Sequence, residues 1–371
     1  MEITIKKKDF LKGLHRTQGI VEKRHTMPIL SNVLLSTVGK KIEISATDLD
    51  IGVKDLREAD VIKEGSIIVN ARKLYEIIRE MPGDIVEVKT KENNWLELRS
   101  GKALFNIVAL SPEEFPSIPS PEIETLYKIP SLIFKDMIDM TIFAASDDTS
   151  IRYNMNGIYL ETDTEDDMLR MVATNGHRLA IISKKNTGVS GLDDGIIIPK
   201  KGLGEVKRLI DDEHEEEIQI GLFKNSLIVK TDKTDLTIRL LEGDFPDYKD
   251  AIPEDNEQIV KVDKGQLLSI LKRMVIISSD KYKGLKVILN SGNLEVITSN
   301  PDLGEAREDI DVDYSGENIE IIFNARYFID GLSALVDESE IILELKNSAS
   351  AGMIRPVKRE DYVYIMMPMR L

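Results

Sequence analysis

The stretch GSIIVNARKLYEIIREMP, residues 65–82, decides how this chain is read. A β-rich run, Ser66 to Val69, leads into Asn70-Ala71-Arg72, and apolar residues then recur at helical spacing through Leu74, Ile77 and Ile78. The same pattern returns as IEIIFNARYFIDGLSALV at residues 319–336. Asn70 and Asn324 stand 254 residues apart, twice 127. Midway lies GIIIPKKGLGEVKRLIDD, residues 195–212, again strand, polar basic turn and helix. The chain is therefore written three times.

Other segments keep the period. EEFPSIP (113–119) corresponds to GDFPDYKDAIP (243–253), each closing a repeat. Three openings also correspond: MEITIKKKDFLKGLHRTQGIV, LYKIPSLIFKDMIDMTIFAAS and IVKVDKGQLLSILKRMVIIS, each a short strand followed by an amphipathic helix. Each unit of about 125 residues thus reads strand, helix, strands, helix, strands, an α+β pattern. So long a period indicates domain triplication rather than a solenoid. The expected domains are 1–120, 128–252 and 258–371, with proline- and acid-rich linkers at Pro112–Pro121 and Pro246–Gln258.

Composition narrows the function. At 371 residues the chain exceeds one ordinary core, and its 42% apolar content is enough to fold it. No run approaches eighteen uncharged apolar residues, and charge interrupts the N-terminus before any signal-type apolar stretch, so a cytoplasmic protein without a membrane span is expected. The absence of cysteine excludes disulfides, thiolate zinc sites and cysteine nucleophiles. The six expected helices, 6–24, 70–80, 130–146, 200–212, 263–275 and 324–336, together carry +8; with the chain at −16, the remainder holds −24. Base gathered on equivalent helices suits a phosphate backbone contacted without reading bases, and each helix alone reads equally as a solvated face.

Enzyme chemistry finds little support. His15, His25, His177 and His214 have no metal-ligand spacing, DDEHEEE around His214 reads as a solvated acidic loop, and no nucleotide-binding or nucleophile-elbow motif occurs. Asp48 and Asp50 are the one imaginable metal pair, so a metal-dependent hydrolase stays as a weak alternative and no cofactor is expected. The closing YIMMPMRL (364–371) raises a question of its own: it is either the last strand of a core or a surface that grips something.

Taken in order, ATDLD (46–50), NARKLYEIIREMP (70–82), IRYNMNGIYLET (151–162), VATNGHRLA (172–180), GDFPDYKDAIP, FNARYFIDGL (323–332) and YIMMPMRL resemble the bacterial DNA polymerase III β subunit, the sliding-clamp family, across the whole chain. The resemblance implies a clamp fold of three similar domains, joined head to tail in a homodimeric ring with helices inside and antiparallel sheets outside. It implies a processivity factor that encircles double-stranded DNA and has no catalytic site. Its implied partners are the polymerase III catalytic subunit, the clamp loader, and other polymerases and repair proteins carrying a docking motif.

Carried over by position, the motif cleft comprises Arg152, Met155, Thr174, Gly176, His177, Arg178, Leu179, Pro246, Asn324, Tyr327, Ile365, Met367, Pro368, Met369 and Arg370. Strand Tyr362–Met366 would lead into it, with Arg152 and Arg178 offering donors at its rim. Methionine suits a pocket that repacks around different apolar side chains. Without the resemblance the tail reads as core, and Asn175-Gly176 as a plain hairpin turn. DNA contacts would come from Arg24, Arg72, Lys73, Lys200 and Lys201, with Lys12, Arg16, Arg79, Lys207, Arg208, Lys272 and Arg273 added from helix position. The subunit joint would pair Phe105 and Ile107 with Ile276 and Ile277. Asn154, Asp250 and Ala251 depart from the commoner family pattern beside the cleft, which puts its motif preference in question. A non-encircling interaction scaffold is the other alternative.

Overall fold

A computed structural model of the chain describes residues 1–21, 27–119, 125–147, 153–163, 165–278 and 284–369. Its helices are α1 (Lys7–Thr17), α2 (Ala71–Glu80), α3 (Ser131–Thr141), α4 (Lys200–Glu213), α5 (Lys264–Ile277) and α6 (Ala325–Ala334). Each repeat runs strand, helix, a set of strands, helix and three more strands. The recurring Asn-Ala-Arg has a local cause. Asn70 Oδ1 accepts the Lys73 amide and Asn324 Oδ1 the Arg326 amide, both at 3.0 Å, so a strand ends and a capped helix begins at one residue. Asp263 does the same for α5, accepting from the Gln266 amide at 2.7 Å.

Two helices are shorter than expected. The α1 helix stops at Thr17, whose hydroxyl donates back to the Leu14 carbonyl at 2.8 Å. Likewise α3 stops at Thr141, bonded to the Met137 carbonyl at 2.8 Å, before a 3-10 turn at Ile142–Ala144. The linker expected at Pro246–Gln258 is folded structure: Tyr248 and Asn256 are buried, and the Asn256 amide donates to the carbonyls of Glu344 and Ala351 at 3.1 Å each.

By its contacts the chain forms two compact units. The first comprises Met1–Ser131 and Lys201–Leu240. Its five-stranded sheet ends on Ala103–Val108, and its eight-stranded sheet is continuous across the pairing of Ile51–Glu58 with Thr234–Arg239. Phe10 and Leu14 of α1, Leu74 and Ile78 of α2, and Ile44 and Val53 of the sheet are fully buried together. Beneath α1 lies a buried ion cluster. Asp55 accepts from Arg57 Nε at 2.5 Å, Arg57 Nη2 at 2.7 Å and the Thr234 hydroxyl at 2.9 Å. Glu213 accepts from Arg57 at 2.8 Å and from Arg16 at 3.0 Å, and Asp212 lies 3.2 Å from Arg16. Arg16, expected to face DNA, is therefore buried and consumed by carboxylates. Glu213 likewise leaves the acidic run around His214, because two guanidinium groups draw it inward.

The second unit comprises Leu132–Lys200 and Leu241–Leu371. A four-stranded sheet has Gly304–Asp311 and Ile319–Asn324 at its edges. The eight-stranded sheet runs Ile196–Pro199, Gly157–Asp163, Met168–Thr174, Arg178–Lys185, Tyr362–Met366, Gly352–Pro356, Glu340–Leu345, Gln258–Asp263. The last strand thus lies at its centre. Helix α6 meets it closely: a Cβ on Gly331 would stand 2.2 Å from the Tyr364 ring, so glycine is required there. Arg359 bonds Asp136 at 2.8 Å and Asp361 at 2.7 Å, and Lys184 bonds the same two carboxylates at 2.7 Å each.

Burial opposes ionisation of Asp136, Asp361 and Glu213, yet the guanidinium and ammonium groups beside them hold all three below the ordinary 3.8 and 4.5. Depressed folded values mean stability that is complete above those ordinary values and is lost as pH falls through the folded ones. Urea midpoints should therefore hold between pH 6 and about 5 and fall steeply below about 4. Asp55→Ala, which leaves the buried Arg57 with Glu213 alone and the Thr234 hydroxyl without its acceptor, should lower the stability of the first unit by about 1–3 kcal/mol in the same titration at neutral pH.

Candidate partner-binding cleft

In the second unit the central strands are apolar on both faces. Ala180, Ile182, Tyr362 and Tyr364 form one face, whereas Val172, Leu179, Ile181, Met353 and Ile365 gather with Tyr248 on the other. Leu179 pairs with Ile365, and Ile365 with Met353, directly across the ladder. Phe245, Tyr159, Ile252, Ala351 and Val363 pack against this second cluster while staying partly open. The cluster itself is buried, and the open part of this face consists of the five partly exposed residues packed on it.

The turn at Asn175–His177 shapes one end. Asn175 Oδ1 accepts the amides of His177 at 3.0 Å and Arg178 at 3.2 Å, and Gly176 takes φ +83°, the left-handed region. Thr174 Oγ1 receives the Gly176 amide at 3.0 Å and donates to the Arg178 carbonyl at 2.7 Å. A Cβ on Gly176 would lie 3.9 Å from the end of Met155, which sets that residue beside the turn. The tail follows. Strand Tyr362–Met366 ends as expected, the Met367 amide donates to the His177 carbonyl at 2.9 Å, and the Met369 amide donates to the Ile322 carbonyl at 2.7 Å. Met367 remains 46% exposed, and Pro368 and Met369 are half-buried.

One expectation fails. Arg178 is not a donor at the rim: it is 8% exposed, pairs with Asp330 at 2.6 Å, and donates to the Phe143 carbonyl. Its guanidinium stacks on Tyr327 at 4.4 Å and faces Phe143 at 5.6 Å. It braces the cleft from beneath, and its neighbour Tyr364 donates to the Tyr327 carbonyl at 2.8 Å. Asn324 is occupied as the α6 cap. Pro246 is half-buried between Phe245 and Tyr248, which do meet the cluster. Arg152 and Arg370 lie outside the described residues.

Sequence reasoning missed what fixes the Pro246 side. Asn154 Nδ2 donates to the Asp244 carbonyl at 2.5 Å, Phe245 stacks on Tyr159 at 4.9 Å, and the Tyr248 hydroxyl meets Glu161 at 2.5 Å and Arg170 at 3.1 Å. Burial and the Glu161 carboxylate push the Tyr248 hydroxyl well above its usual value, so it stays protonated and can donate. The aromatic spacing in GDFPDYKDAIP was the available signal.

The cations expected to meet DNA are mostly paired. Glu76 holds Arg72 at 2.9 Å and Lys73 at 3.0 Å, Glu80 holds Arg79 at 3.0 Å, and Glu308 holds Arg273. Lys200 bonds Asp147 and Lys201 bonds Asp48, each at 2.6 Å, and Arg208 bonds Glu205 and the Arg16 carbonyl. Asp48 also accepts the amides of Asp50 and Ile51 at 3.0 and 2.7 Å, a turn cap rather than half of a metal pair. Lys207 is half-exposed. Lys8, Lys12 and Lys272 are exposed, and Lys8 was overlooked in the sequence. Arg24 lies outside the described residues. Strand Ala103–Val108, at its open edge, exposes Leu104, Phe105 and Val108, with Ile107 half-buried; Ile276 is 75% exposed on α5, which packs on edge strand Gly304–Asp311, and Ile277 is half-buried.

Comparison with known proteins identifies the family. Models of the N-terminal, central and C-terminal domains of the DNA polymerase III beta subunit match residues 1–119, 128–247 and 249–370. The chain is 34% identical to the beta sliding clamp of Pseudomonas aeruginosa and 31% to that of Escherichia coli K12, each over the full length of both chains. Among solved structures it resembles the Bartonella birtlesii sliding clamp bound to griselimycin, with a TM-score of 0.95 and 32% identity over the whole of both chains. The Pseudomonas aeruginosa subunit beta gives 0.93 at 33%, again over all of both. With three consecutive domain matches on a threefold α+β repeat, this chain belongs to the bacterial DNA polymerase III beta subunit family, the beta sliding clamps.

Proposed function

We propose that two copies of this chain close head to tail into a ring that encircles duplex DNA and tethers the replicative polymerase to it. The observation that carries this reading is the half-covered apolar sheet face finished by Met367, Pro368 and Met369, in a chain of the sliding-clamp family. The domains are taken as 1–120, 128–252 and 258–371. Short apolar motifs of the polymerase, the clamp loader and repair proteins would seat on the half-open Val363, Phe245 and Met367, above the buried Leu179, Ile365 and Met353 and beside the Gly176 turn and the Pro246 loop. The methionine side repacks, and the anchored loop does not. The protein acts in the cytoplasm as an accessory factor, and we assign it no reaction, metal or cofactor of its own. Among the described residues no helix is long and apolar enough to cross a membrane.

Retention on DNA is topological, so phosphate contacts need only be weak. Paired surface cations support this, because an exposed ion pair contributes little and exchanges its carboxylate for a phosphate readily. Lys8, Lys12, Lys272, Arg72, Lys73, Lys200, Lys201 and Arg24 are the proposed contacts. The edge strand Ala103–Val108 offers unpaired backbone and exposed Leu104, Phe105 and Val108; the edge Gly304–Asp311 beside Ile276 offers the complement on a second copy. Pairing them would remove two open edges per joint.

Three outcomes are expected. A labelled Gln-Leu-Ser-Leu-Phe peptide should bind saturably in the micromolar range by fluorescence anisotropy, and deletion of residues 367–371 should abolish binding with the circular dichroism spectrum intact. No binding by the intact chain would remove the docking role. Phe105→Arg should convert dimer to monomer in sedimentation velocity. Protein loaded on nicked circular DNA should stay bound in high salt and leave on linearisation; loss from both alike would favour a non-encircling scaffold.

A further inference from the structure

The loop that walls the cleft is also the most one-sided stretch of charge near it. Residues 242–257 hold Glu242, Asp244, Asp247, Asp250, Glu254, Asp255 and Glu257 against Lys249 alone. All seven carboxylate residues are exposed. Asp255 is paired with Lys346, and the Asp247 carboxylate receives the Lys249 amide at 3.1 Å. Among the described residues no side-chain cation pairs with Glu242, Asp244, Asp250 or Glu254.

Placement makes this more than surface charge. Phe245 and Ile252, within the run, pack on the cleft cluster, and Tyr248 belongs to it. Asn154, Tyr159 and the Glu161–Arg170 pair fasten the same loop at three successive points. Asp244 and Asp247 flank Phe245-Pro246, so the anchored backbone places their exposed side chains beside the apolar cluster. Of the cations around the loop, Arg170 is held by Glu161 at 2.8 Å, Arg178 is buried against Asp330, and Lys346 is taken by Asp255. A rigid acidic rim on an apolar groove selects the partner whose flanks are basic, since like charges beside the groove are repelled.

We propose that the cleft prefers docking segments in which the apolar motif is flanked by lysine or arginine, and discriminates against acidic flanks. This rests on the docking role given above and adds the charge of the partner. Asp250, exposed and without a side-chain cation partner among the described residues, would be a specificity-determining position of this chain.

The test uses the full-length protein and three labelled peptides, Gln-Leu-Ser-Leu-Phe flanked on both sides by Lys-Lys, Ser-Ser or Glu-Glu, read by anisotropy. At 50 mM salt the lysine-flanked peptide should bind about three- to tenfold more tightly than the serine-flanked one, and the glutamate-flanked peptide more weakly by a similar factor. At 500 mM salt the three should converge to within about twofold. The variant Glu242→Gln/Asp244→Asn/Asp250→Asn, all at exposed side chains, should lose the preference and keep its affinity for the serine-flanked peptide. Equal affinities at low salt, a reversed order set by Arg152 and Arg370, or a preference surviving in the variant would overturn the proposal while leaving the docking role standing. Failure of the serine-flanked peptide to bind would overturn both.

Discussion

Five cross-strand pairs between Arg178–Lys185 and Tyr362–Met366 join segments about 180 residues apart, and the cleft depends on them. They carry the last strand to the centre of an eight-stranded sheet, where Tyr364, Ile365 and Met366 have a paired neighbour on both sides. Closing so long a loop is costly in chain entropy, and the cost grows only slowly with length. Burial of Tyr362, Tyr364, Ile365 and Met366 on the two faces offsets it. Because the ladder fixes the register, Leu179 stands against Ile365, and the next residues of the chain emerge beside the His177 turn.

From that ladder follows a division between rigid and adaptable parts. The Pro246 loop is held by a side-chain hydrogen bond, a ring stack and a tyrosine shared by a carboxylate and a guanidinium. The opposite side is Met367 to Met369, tied by two backbone hydrogen bonds. An unbranched thioether chain loses little on repacking, so one side can accommodate differing apolar ligands while the other keeps their register. Arg178, braced between Asp330, Phe143 and Tyr327, holds the floor on which both sides stand.

Charge is likewise divided by environment. Inside the first unit Arg57 is held by Asp55 and Glu213, and Arg16 by Glu213 and Asp212, so removal of one carboxylate would leave a buried guanidinium with half its partners. On the helix surfaces Arg72, Lys73 and Arg79 sit in solvent-exposed pairs that screening weakens and a phosphate can displace. The same residue types thus act as fixed joints in one place and exchangeable contacts in the other, and burial alone sets the difference.

Periodicity and local chemistry were enough to establish the threefold strand–helix plan, because Asn70 and Asn324 act through hydrogen bonds to amides two or three residues away. The final strand at Tyr362–Met366 and the Asn175-Gly176 turn were readable for the same reason: their determinants are contiguous. Local pattern could not say that Arg16 turns inward, since an amphipathic helix shows which face is polar but not which carboxylates the end of a distant helix will bring beside it. Nor could it show Tyr248 as core within an acidic, proline-containing stretch that reads as a linker, or Arg178 as a brace rather than a rim donor. Those roles depend on residues 35 to 197 positions away, and only the folded chain brings such distant groups within hydrogen-bonding reach.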